Sequence, residues 1–352
     1  MPIHCPARYV ALIVEYLESE GFDCTEALDR TGISRQSFAH LDSVLPLETL
    51  AHVSHLLATM SGRPDVFLAT GLRCGPAQYG ELGRAMLSCA TLRDSIEITV
   101  RYFPLISRIT GMSFKEVKET AEVCWQPMLG VPYDMLIASF DFVLGAFYNR
   151  LTLILGDKLP DFEVSFSTAQ PPDVSRYRRL KPGRVYFGQG GLPAVRFKFG
   201  ADVLDTRMPL ANPIMLRQAE ERVGVYYKLL RQPQRDWPAW VDTMLRESIA
   251  QQPTLEELAV IANVSASTLN RYLAAQGCNF RRLACEIRHE RACHMLREHG
   301  MRVGDVAQTL GYTSVGNFIR AFRAQAGMTP TQFATSQEEP SSTPLNAGQT
   351  TP

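Results

Sequence analysis

Two stretches of this 352-residue chain carry the same pattern, and a pattern that occurs twice restricts the fold more than composition does. Residues 254–276 read TLEELAVIANVSASTLNRYLAAQ, and residues 303–325 read VGDVAQTLGYTSVGNFIRAFRAQ. In the first, Thr254 followed by Glu256 and Glu257 starts a helix whose apolar side is Leu255, Leu258, Ala259 and Ile261. Asn263-Val264 makes a short turn and Ser265 caps a second helix. A second helix crossing closely over the first accepts little more than a methyl at the contact, which is the place of Ala259. In the second stretch Ala307 stands 48 residues after Ala259, whereas Phe318, Arg320 and Gln325 stand 49 after Leu269, Arg271 and Gln276. One extra residue in the second turn accounts for the change, and Gly311 there tolerates a left-handed backbone. A helix-turn-helix found once is a modest signal; found twice within a hundred residues it is a strong one.

Between the copies, Phe280 to Arg297 reads as one helix of 18 residues, about 27 Å long at 1.5 Å per residue. That is near the roughly 34 Å between successive major-groove faces of a duplex, so one chain is expected to place two recognition helices in adjacent grooves. The charge agrees. The whole chain is neutral, yet residues 265–334 hold nine Arg and no Lys against Glu286, Glu290, Glu298 and Asp305, a local field that attracts phosphate. With Leu269, Tyr272 and Leu273 buried in the first recognition helix, Ser265, Ala266, Ser267, Asn270 and Arg271 face the groove. With Phe318 and Phe322 buried in the second, Thr313, Ser314, Gly316, Asn317 and Arg320 do. Arg can bridge guanine O6 and N7, and Asn can bridge adenine N6 and N7, while Ser265, Thr313 and the helix-start amides suit phosphate. A lone surface arginine more often pairs with a carboxylate of its own domain; the same arginine at matched positions in two copies favours double-stranded DNA as the partner.

The length exceeds what one core usually supports. Residues 8–128 show helical spacing at Tyr9–Leu17, Leu47–Leu57 and Leu92–Phe103. Strand-like alternation follows at Leu105–Ile109 and Lys115–Trp125, and a long apolar helix at Asp134–Leu155. Strands are expected again at Phe162–Ser167, Val185–Phe187 and Ala194–Phe199, with Gly188-Gln-Gly-Gly as a hairpin turn between two of them. The predicted fold is an α+β N-terminal sensor domain, 1–206, then a connecting helix within 207–237. An all-α domain, 238–334, follows with its two helix-turn-helix motifs joined by the long helix. A Ser-, Thr-, Pro- and Gly-rich tail, 335–352, is expected to be disordered. The apolar start is soon interrupted by Glu15, Glu18 and Glu20, which argues against a signal peptide or a membrane span and for a cytoplasmic protein. The eight cysteines show no Cys-x-x-Cys spacing and read as reduced thiols.

Nothing in the sequence suggests catalysis: there is no Gly-x-Ser-x-Gly and no His-Glu-x-x-His. Cys285, His289 and Cys293 lie at i, i+4 and i+8 of one helix, spread over about 12 Å, too far for one tetrahedral ion. No metal and no cofactor are expected. The aromatic residues Tyr102, Phe103, Trp125, Tyr133, Phe140, Phe142 and Phe147 are candidates for an effector pocket, although at such spacings each is more often core. No effector-binding residue is assigned.

The C-terminal hundred residues resemble the DNA-binding domain of the AraC/XylS family of bacterial regulators. The resemblance rests on Val306-Ala307, Leu310-Gly311-Tyr312, Phe318, Arg320-Ala321-Phe322, Gly327 and Thr329-Pro330, with Arg288, Arg291-Ala292, Ser265, Leu269 and Arg271 also matching. The short side chains of Ser267, Val315 and Gly316 depart from the bulky or polar base readers often found there, and leave the target sequence open. The first two hundred residues are similar to the arabinose-binding-like N-terminal domain of some such regulators, through Gly71-Leu-Arg, Tyr79-Gly-Glu-Leu-Gly, Thr91-Leu-Arg-Asp, Tyr102 and Pro104. The resemblance implies a transcription activator controlled by a small-molecule effector, with RNA polymerase as a further partner and a homodimer as one state. Two alternatives stay open: a constitutive regulator whose N-terminal domain only dimerises or binds a protein, and an enzyme domain fused to a DNA-binding module.

Overall fold

The computed structural model describes residues 3–40, 43–229, 236–248, 252–262, 264–297 and 300–335. By contacts the chain divides into two units, Met1–Leu283 and Ala284–Pro352. In the first, β1 (His4–Pro6) pairs antiparallel with β2 (Val44–Pro46). A helical cluster is formed by α1 (Arg8–Ser19), α2 (Thr25–Thr31), α3 (Leu47–Ser61) and α4 (Val66–Gly71). Val10, Ile13, Val14 and Leu17 recur at three- and four-residue spacing along α1, and all are buried in one core with Val53 and Leu57 of α3. Next come α5 (Gly80–Ser88) and α6 (Leu92–Tyr102). A reciprocal cap starts α6: Thr91 Oγ1 accepts from the Asp94 amide at 3.2 Å and Asp94 Oδ2 from the Thr91 amide at 3.0 Å.

The sheet and α4 pack on α7 (Tyr133–Leu155), whose Leu136, Phe140, Leu144 and Leu151 are buried. It meets α4 at two glycines. A Cβ on Gly71 would lie 2.3 Å from the Phe142 carbonyl oxygen, and one on Gly145 would lie 2.7 Å from that of Leu68, so only glycine allows this backbone approach. On another side Phe147 meets Trp125 and Phe197 of the sheet edge-on, with centroids 5.3 and 5.2 Å away.

The sheet comprises β3 (Thr110–Val117), β4 (Thr120–Pro127), β5 (Phe162–Phe166), β6 (Arg184–Tyr186) and β7 (Val195–Gly200), in the order β3-β4-β7-β5-β6. All pairs are antiparallel except β5 with β6. Three local expectations change. Leu105–Ile109 is not a strand, because Pro104 sits in a 3-10 turn and side chains take the carbonyls that a ladder would need. Arg8 Nη2 donates to Leu105 O at 2.9 Å, and Tyr9 OH donates to Ile106 O. The alternation over Lys115–Trp125 covers two strands, which reverse at Lys118, a residue at φ +56°. Gly188–Gly191 is not a hairpin turn, since β6 and β7 do not pair with each other. The loop is held by Gly188 N to Thr168 O at 2.9 Å and Gln189 N to Phe166 O at 2.9 Å.

After the sheet, α8 (Pro213–Leu229) starts at Asn212, whose Oδ1 accepts from the Met215 amide at 3.0 Å. It packs against α5 and buries Ala219 and Val223 in the same core as the sheet. Of the expected connection within 207–237, residues 230–235 lie outside the described residues. On α9 (Trp237–Arg246), Asp236 Oδ1 caps the Ala239 amide at 2.9 Å. The Trp240 indole is wholly buried and donates Nε1–H to Pro127 O, at the end of β4, at 2.8 Å. A Cβ on Gly130 would lie 2.3 Å from Ala239 O, so α9 sits directly on the chain that leaves β4. Then come α10 (Leu255–Ile261) and α11 (Ala266–Ala275), and α12 (Phe280–Arg297) passes into the second unit. That unit holds α13 (Val303–Thr309), α14 (Val315–Ala326) and α15 (Pro330–Thr335) around Ala292, Leu296, Val306, Ala307, Phe318 and Phe322. The architecture is α+β followed by all-α with two helix-turn-helix motifs. Of the expected tail, Thr335 closes α15 and the rest lies outside the described residues.

Two substitutions test these contacts by urea unfolding followed by far-ultraviolet circular dichroism. Gly145→Val forces two backbones apart and lowers stability by about 1 to 3 kcal/mol; an unchanged midpoint would contradict the close approach. Trp240→Phe keeps a ring in place but leaves the Pro127 carbonyl unsatisfied, a loss of about 1 to 3 kcal/mol; no loss would mean the indole bond is immaterial.

Candidate nucleic-acid interface

The first recognition helix, α11, is built from its caps inward. Thr254 Oγ1 accepts from the Glu257 amide at 3.2 Å and Glu257 Oε2 from the Thr254 amide at 2.8 Å, so α10 starts with a capping box, as its sequence predicts. Leu258 and Ala259 are buried. The Val264 amide returns to Ala259 O at 3.0 Å, and Ser265 Oγ then caps the Thr268 amide at 3.1 Å. Leu269 and Leu273 are fully buried, while Tyr272 stacks on Trp237 at 5.1 Å and 17°. The Trp237 amide donates to Gln276 Oε1 at 2.9 Å. Ser265, Ser267, Asn270 and Arg271 are exposed and Ala266 is half-buried.

The second copy repeats the turn bond and the recognition-helix cap of the first, while α13 starts after Arg302 without a side-chain cap. The Tyr312 amide returns to Ala307 O at 2.9 Å, and Ser314 Oγ caps the Asn317 amide at 3.2 Å. Gly311 has φ +76°. The extra residue is thereby located: Thr313 stands between the returning amide and the cap, where the first copy passes straight from Val264 to Ser265. Thr313, Ser314, Gly316 and Arg320 are exposed and Asn317 is half-buried. Here the polar side chains are joined. Asn317 Nδ2 donates to Thr313 Oγ1 at 2.9 Å, and Arg320 Nη2 donates to Asn317 Oδ1 at 2.5 Å.

Among the described residues neither Arg271 nor Arg320 forms an ion pair with a carboxylate. Both side chains are exposed on their helices, as are those of Arg281, Arg302 and Arg323. Sequence reasoning missed the support from behind: Trp237 and Gln276 brace α11, and the Arg288 guanidinium lies 5.8 Å from the Tyr312 ring centroid. The first signal was available, since Trp237 and Gln276 sit at the two edges of the motif.

The α+β region also contains a cavity of about 360 Å³ between α1, α3 and α7, lined by Tyr9, Leu50, Ile106, Pro132, Met135 and Phe142 among others. Of the aromatic candidates for a pocket, Phe142 lines this cavity, and Phe103, Trp125 and Phe147 line a second one of about 30 Å³. Phe140 is core, Tyr102 stands edge-on to Tyr227 at 5.4 Å, and Tyr133 is exposed. The missed residues come from separate helices with no common motif, and only the tertiary fold gathers them.

Comparison with known proteins agrees with this geometry. Residues 21–208 match the model for the arabinose-binding domain of AraC transcription regulators, and residues 258–336 match a helix-turn-helix domain model. The ornithine utilization regulator of Pseudomonas aeruginosa is 21% identical over 93% of this chain and 95% of its own. An uncharacterised helix-turn-helix transcriptional regulator of Mycobacterium tuberculosis is 27% identical over 94% of this chain and 96% of its own. The crystal structure of the regulator CdpR from Pseudomonas aeruginosa aligns over 89% of this chain and 96% of that one, with 19% identity and a TM-score of 0.43. With the N-terminal model alone matching more than half of its length, and two capped, alanine-crossed helix pairs behind it, the chain belongs to the AraC family of DNA-binding transcription regulators.

Proposed function

We propose that this regulator is a cytoplasmic activator whose hold on DNA is set by a small molecule bound in its N-terminal region. In this reading 1–206 binds the effector and dimerises, 207–237 connects, and 238–334 grips DNA and presents the chain to RNA polymerase. Ser265, Ala266, Ser267, Asn270 and Arg271 of the first head and Thr313, Ser314, Gly316, Asn317 and Arg320 of the second meet the duplex in adjacent major grooves. Ser265, Thr313 and the helix-start amides contact phosphate, and the arginines and asparagines meet base edges. The observation that carries the DNA-contact reading is the matched pair of exposed arginines, each without a carboxylate partner among the described residues.

Effector control is supported by the apolar cavity, whose volume is within the range of small-molecule sites. Pro132 lines it, and the same loop carries Gly130, which packs on Ala239 of α9. A ligand that favours one arrangement of this loop would shift how α9 and α11 are held, and only such a difference in affinity can move the equilibrium. A region that merely dimerises would have no need of such a cavity. The enzyme alternative calls for titratable groups converging on a cavity. The most perturbed buried carboxyl, Asp141, is pushed up to about 6 by burial against the opposing pull of Arg176. It is bonded to Tyr177 OH at 2.7 Å and paired with Arg176 at 3.1 Å, and this trio lines neither of those two cavities. Titratable groups do line a third, open cleft of about 600 Å³, where Glu122 is paired with Lys115 at 2.9 Å and Lys198 at 3.4 Å.

Arg320→Ala is expected to lose about 1 to 3 kcal/mol of discrimination at one base position while binding to random DNA weakens less, as read by competition gel shift at fixed salt. Equal weakening on specific and random DNA would make Arg320 a phosphate contact. A metabolite screen by thermal shift, repeated as promoter affinity and transcription output, is expected to find a compound that changes all three. Invariant promoter affinity and output across the screen would remove effector control.

A further inference from the structure

Among the described residues, Arg150 is a buried cation of the α+β region with no carboxylate partner. Arg150 of α7 is only 6% exposed. Its Nη1 donates to Thr99 Oγ1 at 2.6 Å and lies 3.7 Å from Met86 Sδ, and its guanidinium is 5.1 Å from the Phe147 ring centroid. The Thr99 hydroxyl proton is already donated to Ser95 O at 2.6 Å. Among the described residues no carboxylate pairs with Arg150 and Nε has no hydrogen-bond partner. The edge of the guanidinium that grips a carboxylate with two parallel bonds is therefore unused. Arg176, also buried, shows the usual solution, an internal partner in Asp141 at 3.1 Å. Burying a charge without one is costly, and burial accordingly draws the Arg150 guanidinium down to about 10. A second cation stands near: the Arg8 guanidinium is 5.7 Å from the ring of Tyr79, and Arg8 Nε is likewise without a partner among the described residues.

Arg150, Thr99 and Tyr79 line the cavity of about 30 Å³. At about 10 to 15 Å³ for each water-sized group, it holds roughly two, the two oxygens of a carboxylate. Ile106 and Val143 line both this cavity and the apolar one of about 360 Å³. Both are mainly apolar in lining; the smaller carries the Arg150 guanidinium with the Thr99 and Tyr79 hydroxyls, and it adjoins the larger at Ile106 and Val143. We infer that the N-terminal region binds an apolar carboxylate, its head on the Nε/Nη2 edge of Arg150 and its body among Tyr9, Leu50, Met135 and Phe142. A single buried guanidinium in so small a space matches one negative charge better than the doubly charged, larger phosphate. The inference deepens the effector reading and rests on it.

Calorimetric titration of the full chain with decanoate, decanol and decylamine tests it. Decanoate binds saturably, decanol at least tenfold more weakly, and decylamine more weakly again. Arg150→Met, which keeps the stem and removes the charge, binds decanoate no better than decanol. Ala138→Trp, filling the apolar body, loses both ligands, and it and the wild-type series stand should Arg150→Met not fold. Equal binding of decanoate and decanol to the wild type, binding of neither, or an Arg150→Met variant that still prefers decanoate overturns the proposal. Decanoate binding that leaves promoter affinity unchanged keeps this site and refutes effector control by it. A different metabolite that shifts promoter affinity where decanoate fails to bind does the reverse.

Discussion

Each reading head depends on one backbone hydrogen bond across five residues, from Val264 N to Ala259 O in the first copy and from Tyr312 N to Ala307 O in the second. The bond closes the first helix of the pair, and the alanine that accepts it is small enough for the second helix to cross there. A larger side chain at either alanine would push the recognition helix off its support. The hydroxyl caps at Ser265 and Ser314 then fix where that helix begins, and so which residues fall on its outer face. Leu269 and Leu273 in one copy, and Phe318 and Phe322 in the other, take the inner stripe. What remains outside is polar, short and arginine-bearing.

The first head is not an appendage to the α+β region. Trp240 fills a buried position and bonds to the last residue of β4, and Gly130 admits Ala239 at a distance that no other residue would allow. The strand that ends at Pro127 is also the one whose Trp125 packs on Phe147 of α7, beside Arg150. A continuous run of packed groups therefore leads from the cavities to α9, and from α9 through Trp237 and Tyr272 to α11. Such interiors switch between discrete arrangements instead of deforming smoothly, which is what the proposed effector control of a DNA-binding helix requires.

The helix-turn-helix pair was legible because its rules are local: a hydroxyl three residues before an amide, a small residue at a crossing, apolar positions at three and four. Even the extra residue could be deduced from the shift in offset, although only the fold shows it to be Thr313. The sheet was less legible. The parallel pairing of β6 with β5 and the consequent loss of a hairpin at Gly188 depend on which strand ends meet in space, and neither strand's sequence records it. Leu105–Ile109 has strand-like alternation, but Arg8 and Tyr9, nearly a hundred residues earlier, claim its carbonyls. The helix after Asn212 reads as a connection from its place between the two patterns, and Ala219 and Val223 bury one of its sides in the core that includes the sheet. Arg150 lies inside an apolar helix pattern that gives no hint of a charge facing inward.

Hydroxyl-radical footprinting of the full chain on a selected high-affinity duplex addresses the central claim most directly. Two recognition helices on one chain predict two protected patches on the same face of the duplex, about 10 base pairs apart. A single patch, with the remaining DNA cleaved as if no protein were bound, would contradict it.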